Sequence, residues 1–261
     1  MKKILLMTSS VFAMTSFIGS ANASVSNLFF KPMGGNVVST TTFDMFEISR
    51  SDQDTDGTAV SQTLDYGYSD RDTLSLSISY TDTDDNSSSN YGNQNGFSNP
   101  TLAFSRRIVD DEVVVDLNAA ITPDVVDTDD SDMVQGSSGY DFGISVGGES
   151  IVGDYFITAT MSQITSDDSG NEAYDKFRFE MKKQIILADQ LKLNPAVAWV
   201  NSDGANANDF SDTNYKYLSY GASISYDLNA DTAVYVGIRN RNYDETDRDE
   251  THTIISLKSA F

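Results

Sequence analysis

The chain has 261 residues, of which 39 are acidic, 17 basic and one histidine, giving a net charge of −22 at pH 7. It contains no cysteine, which excludes a disulfide framework, a thiolate metal site and a lipid-anchoring thiol. So acidic a chain is a poor partner for nucleic acid, because neutralising phosphates takes clusters of lysine and arginine.

Residues 1–23, MKKILLMTSSVFAMTSFIGSANA, read as a secretory signal: two lysines, an apolar stretch from Ile4 to about Ile18, then the small-x-small pattern Ala21-Asn22-Ala23, with cleavage expected after Ala23. Loss of Lys2 and Lys3 takes the 17 bases to 15 against 39 acids, and the net charge from −22 to −24. No later segment approaches the roughly 18 apolar residues of a membrane helix. The next residues, 24–35, SVSNLFFKPMGG, do not alternate. They are expected to be a periplasmic tail or a piece folded into the space that the following strands enclose.

From residue 36 to residue 261 the pattern has a period of two, the signature of strands with one apolar and one polar face. Twelve segments are expected, at about 36–50, 58–68, 73–82, 99–109, 113–123, 139–148, 154–164, 174–186, 190–200, 215–228, 232–242 and 251–261. In the first, Phe43 and Met45 fall on one face and Phe46 and Ile48 on the other, which predicts a bulge. The stretch SDQDTDG (51–57) follows as the first outer loop. Its Asp52, Asp54, Asp56 and Gly57 match the first half of an EF-hand calcium loop, but Thr63 stands where a bidentate glutamate is needed. These three aspartates are therefore candidate ligands for weak calcium binding only, and Asp127, Asp129, Asp130 and Asp132 are a similar group. The third segment alternates Leu74, Leu76, Ile78 and Tyr80 with Ser75, Ser77 and Ser79. The sixth sets Tyr140, Phe142, Ile144 and Val146 against Asp141, Gly143, Ser145 and Gly147, and the tenth sets Leu218, Tyr220, Ala222, Ile224 and Tyr226 against Ser219, Gly221, Ser223, Ser225 and Asp227.

Connections after even segments are short: SDRD, DDE, ESIVG, LAD and NAD. Those after odd segments are mostly longer. This asymmetry over an even strand count predicts an all-β fold, a transmembrane antiparallel up-and-down β-barrel with short periplasmic turns and long acidic extracellular loops. Closure is required in lipid because hydrocarbon offers no partner for a free N–H or C=O. Trp199, Tyr80, Tyr68 and Tyr226 fall near segment ends, where amphipathic rings sit at headgroup level. The final segment THTIISLKSAF ends on Phe261, similar to the terminal strand that the barrel assembly machinery of Gram-negative bacteria recognises.

Several stretches, LDYGYSDRDTLSLSISYTDT (64–83), GFSNPTLAFSRRI (96–108), AAITPD (119–124) and GYDFGISV (139–146), resemble the meta-pathway phenol-degradation family of outer-membrane transporters. They span about the second to sixth strands. Asn99-Pro100 departs from the family's more usual acidic residue before proline, and the long aspartate runs depart from it as well. The resemblance implies an outer-membrane transport protein. It supplies no catalytic residues.

On this reading Asp65, Asp116, Asp141, Glu180, Arg107, Arg178, Lys182, Arg239, Arg241 and Lys258 line the lumen, among serine, glycine, alanine and threonine. Buried charges of one sign are costly, so they either pair or face water. The outer loops are acid-rich with one base, Arg248, which predicts attraction of cations to the mouth. The leading expectation is a porin-like channel for passive diffusion of small solutes, cation-preferring, in the bacterial outer membrane. The alternative is a non-conducting surface barrel whose loops bind divalent cations, lipopolysaccharide or a partner. No cofactor is implied. His252, at the outer end of the last strand and facing inward, has no sequence neighbours like those of known barrel hydrolases, so an enzyme is not expected.

Overall fold

The computed structural model of the protein describes residues 24–50, 53–85, 94–125, 138–150, 153–165, 173–204, 215–244 and 248–261. The expected signal at 1–23, Asp52, the aspartates from 127 to 132 and most of the long connections lie outside the described residues. The strands are β1 (Val37–Arg50), β2 (Gln53–Gly67), β3 (Asp72–Asp85), β4 (Gln94–Phe97), β5 (Thr101–Asp110), β6 (Val113–Thr122) and β7 (Gly139–Gly148). They continue with β8 (Asp154–Ile164), β9 (Tyr174–Ala188), β10 (Leu191–Gly204), β11 (Tyr215–Asn229), β12 (Thr232–Tyr243) and β13 (Asp249–Ala260).

Every pairing is antiparallel, β1 pairs with β13, and β2 pairs with β3, so the sheet closes. β4 and β5 both pair with β3, at its two ends, and together make one interrupted stave. The barrel therefore has the twelve staves that the alternation predicts. The interruption lies at residues 98–100, where Pro100 has no N–H to give to the ladder. Asn99 instead turns its amide towards the next connection, accepting from the Val125 N–H at 3.0 Å.

The apolar face is outside. Leu64, Leu76, Leu102, Ile121 and Tyr140 are direct partners across five successive staves and form a continuous exposed girdle. Leu102 and Ile121 are each 52% exposed, the inverse of a water-soluble core and the arrangement that hydrocarbon solvates. Tyr68, Tyr80, Trp199 and Tyr226 also face outward. Inside, the side chains are mostly hydroxyls, small residues and charges.

Two expectations are corrected. β1 has no bulge, because its register with β2 and β13 runs unbroken from one end to the other. Phe46 and Ile48 simply point into the lumen, and room for Phe46 comes from its partner Gly57, where a Cβ would overlap the phenyl ring. The register shifts fall elsewhere, in β5 between Arg107 and Val109, at the start of β10 and near the end of β11. Second, residues 53–57 are strand, not loop: β1 and β2 stay paired up to Arg50 and Gln53. At 15 residues β2 is longer than the roughly 9–11 a tilted strand needs to cross the hydrocarbon. Its upper end, carrying exposed Asp54 and Asp56, is thus excess length.

Candidate functional site

The lumen is the one feature that every strand builds. Its short-turn mouth is crossed by residues 24–36, which contact staves all round the ring. Val25, fully buried, packs with Val38 of β1 and Ala233 of β12, and its N–H donates to Ala230 O at 3.0 Å. Leu28 and Phe29 pack on Val114 of β6 and Phe156 of β8. Gln184 of β9 holds the segment from both sides of its amide. Its Oε1 accepts from the Leu28 N–H at 3.1 Å, and its Nε2 donates to Ser26 O at 2.9 Å. Lys192 of β10 bridges Asp227 of β11 at 2.9 Å and also donates to the Ser26 hydroxyl. Lys258 of β13 lies over the Phe30 ring, 5.0 Å from its centroid.

Lys31 extends from this segment towards β5. Its ammonium donates to the carbonyl of Arg71, and to that of Ser105 at 3.3 Å. Burial is the largest influence on it and pulls its pKa from 10.5 down to about 8, although Asp116 draws it the other way. Beside it lies the most deeply buried ion pair among the described residues, Arg107 Nε to Asp116 Oδ1 at 3.1 Å, with side chains 1% and 0% exposed. Arg107 also reaches Asp110 at 3.0 Å.

Above the segment lies a cavity of about 460 Å³. One wall, from β1 to β3, presents hydroxyls: Thr40, Thr42, Ser61, Thr63, Ser75 and Ser77. The opposite wall carries charge, since β9 stands six staves from β2 in either direction round the ring. On it the strand register produces two parallel rows. One runs Lys182, Ala196, Gly221, Arg239, His252, and the next runs Glu180, Ala198, Ser219, Arg241, Glu250. In each row two small residues on β10 and β11 separate the long charged side chains of β9 and β12, leaving a recess in the wall.

The charges at the recess are shared. Glu180 takes Arg178 at 2.9 Å on one oxygen and Lys182 at 3.3 Å on the other. Asp44 of β1 meets Arg239 at 3.4 Å and the His252 Nδ1 at 3.0 Å, while the His252 Nε2 faces Glu250 at 3.3 Å. Glu250 also receives Arg241 at 2.6 Å, the Tyr243 hydroxyl at 2.9 Å, and Arg248. Tyr217 and Tyr243 support these guanidiniums from behind, with Arg241 5.6 Å from the Tyr217 centroid and Arg248 4.7 Å from the Tyr243 centroid.

Of the residues proposed from sequence as lumen-lining, Asp65, Arg178, Glu180, Lys182, Arg239, Arg241 and Lys258 border the cavity. Arg107 and Asp116 are sealed beneath Lys31 instead, and Asp141 is half-buried on β7, within the field of Lys176. Sequence reasoning did not name Asp44, Glu250, Lys31 or Lys192, and it placed Asp227 on the polar face of its strand without its partner. Of these, Asp44 and Lys192 alternate with apolar neighbours on their strands, the signal that could have found them. Among the described residues no group of three or more histidine, aspartate or glutamate side chains is gathered as a metal site, and Asp54 and Asp56 stand as exposed neighbours on one face of β2.

The fold is similar to those of solved outer-membrane barrels. The COG4313 outer membrane channel from Pseudomonas putida F1 aligns with a TM-score of 0.69 at 10% identity, over 94% of this chain and 100% of that one. The NanC porin aligns at 0.54 and 9% identity, over 84% and 98%. The translocator domain of the autotransporter NalP from Neisseria meningitidis aligns at 0.52 and 10% identity, over 88% and 90%. No family model matches the chain, and no curated protein sequence does. What the alignments share with this chain is the fold, a closed antiparallel barrel of the outer-membrane kind.

Proposed function

We propose that the protein is an outer-membrane channel through which small solutes diffuse passively, narrowed at its short-turn mouth by residues 24–36. The observation that carries this is a cavity of about 460 Å³, bordered by charged and hydroxyl side chains, inside a barrel whose outer face is apolar. Charged groups shared between partners, and hydroxyls facing inward, suit a watered interior rather than a dry one. The channels and porins among the fold's relatives support the same reading. In this setting the outward belt meets lipid, the loops meet lipopolysaccharide and divalent cations, and Phe261, exposed at the end of the last strand, is the feature offered to the assembly machinery. Both ring nitrogens of His252 face carboxylates, which favours a role in the lumen's charge network over one as a catalytic base.

The test is conductance of the purified protein in planar bilayers. Discrete ion currents are expected, and a silent protein would support the second reading, a closed barrel. That second reading has one observation in its favour, the segment 24–36 seated across the mouth.

A further inference from the structure

Resting on that reading of a conducting lumen, we propose that the recess between β9 and β12 is a subsite for small carboxylate-bearing anions, and that the channel selects anions although the chain as a whole is strongly acidic.

The cavity lining carries six cationic side chains, Lys31, Arg178, Lys182, Arg239, Arg241 and Lys258, against four carboxylates, Asp44, Asp65, Glu180 and Glu250. The cavity lining is thus net positive by two, counting His252 as uncharged, within a protein of net charge −22. At the recess four cations, Arg178, Lys182, Arg239 and Arg241, meet three carboxylates, Asp44, Glu180 and Glu250. Among the described residues Glu180 pairs with both Arg178 and Lys182, and Arg239 meets Asp44, which it shares with His252, at 3.4 Å, a long contact for an ion pair. Arg239 moreover lies within the repulsive fields of both Arg241 and Arg178. Like charges facing one narrow watered cleft raise each other's energy, and an anion between them lowers it.

The geometry supplies the space. Three strand spacings, roughly 14 Å along the wall, separate β9 from β12, and long side chains reach in from both banks. Ala196 and Gly221 form the floor of the row between Lys182 and Arg239. Two guanidiniums and an ammonium favour a planar, bidentate acceptor such as a carboxylate. The hydroxyls of Ser61 and Thr63 on the opposite wall supply donors and acceptors for the neutral part of the solute.

The acidic outer strand ends and connections would, by themselves, bring cations to the mouth. The mouth and the recess therefore predict opposite selectivity, and the narrower element decides it. The experiment measures reversal potentials of the full chain in planar bilayers under a KCl gradient, then the chloride current with millimolar succinate added. For the wild type a chloride-to-potassium permeability ratio of roughly three or more is expected, with succinate reducing the current. In Lys182→Gln/Arg239→Gln the ratio should fall to about one or below and the succinate effect should vanish. Glu180→Gln, which leaves Arg178 and Lys182 without their shared carboxylate, should raise the ratio, and it keeps the test decisive if the double variant does not fold.

A conducting wild type that prefers potassium, or a ratio unmoved by either variant, would overturn the subsite while leaving the channel intact. A chain silent both whole and without residues 24–34 would remove the channel reading and the subsite with it.

Discussion

Lys182 and Arg239 lie on one register row of the barrel with only Ala196 and Gly221 between them. That spacing depends on Gly221 in particular, because a Cβ there would run into the backbone of β12 at Ile238 and Arg239. Gly221→Ala is expected to force the two strands apart and to cost about 1–3 kcal/mol. Urea unfolding in lipid vesicles would read this as a lower midpoint, and an unchanged midpoint would refute the close approach.

Residues 24–36 are held by polar contacts as much as by packing. Gln184→Ala removes an acceptor from the Leu28 N–H and a donor from Ser26 O, leaving two backbone groups short of partners at about 1–3 kcal/mol each. Single-channel records should show larger and more frequent open levels in this variant, and removal of residues 24–34 should make the larger level permanent. Identical conductance in all three proteins would mean that the segment does not restrict flow.

Protonation of Lys31 couples the segment to pH. In the docked state its pKa is lowered from 10.5 to about 8, chiefly by burial, so between those values the undocked state binds more protons. Docking is then weakest below about pH 8 and strengthens as pH rises towards 10.5. Conductance should fall over that window in the wild type and stay level in Lys31→Met.

The Arg107–Asp116 pair offers a test of burial itself. Asp116→Ala takes the buried carboxylate away from a guanidinium that is 1% exposed, at a cost of about 3–5 kcal/mol. Replacing both by leucine should recover most of the loss, since burying the pair is expensive in the first place. A double variant no more stable than the single one would contradict this.

Trp199 is the sole tryptophan and faces outward at 41% exposure. Brominated lipids in reconstituted vesicles should therefore quench the intrinsic tryptophan emission strongly, and emission insensitive to them would place the ring away from the acyl chains.

Much of this fold was readable because alternation is a property of adjacent residues. Leu74, Leu76 and Ile78 against Ser75, Ser77 and Ser79 fix both the strand and its lipid face before any partner is known. Phe46 defeated the same rule. An apolar residue on the inner face is tolerated there only because Gly57 lies directly across the pairing, and nothing in the local pattern announces that partnership. Residues 53–57 were misread because strands that rise past the membrane lose the apolar phase while keeping their ladder. The recess was invisible for a related reason. Lys182, Ala196, Gly221 and Arg239 come from four different strands, and a shift of one residue in any pairing would scatter them to opposite faces. Lys31 could not be found at all, since its neighbours Arg71, Ser105 and Asp116 meet it only through the docking of a segment that has no period.

The ring closes where β1 meets β13, along twelve residue pairs from Val38–Ala260 to Ser49–Asp249. These are the partners most remote from each other in the chain, so this seam carries the largest loop-closure cost of any ladder in the barrel. Until it forms, the nascent sheet has two naked edges in a medium with no water to cover them. A factor that escorts the protein into the bilayer must therefore shield both edges at once, and substitutions along this seam should slow biogenesis more than comparable changes on the far side of the cylinder.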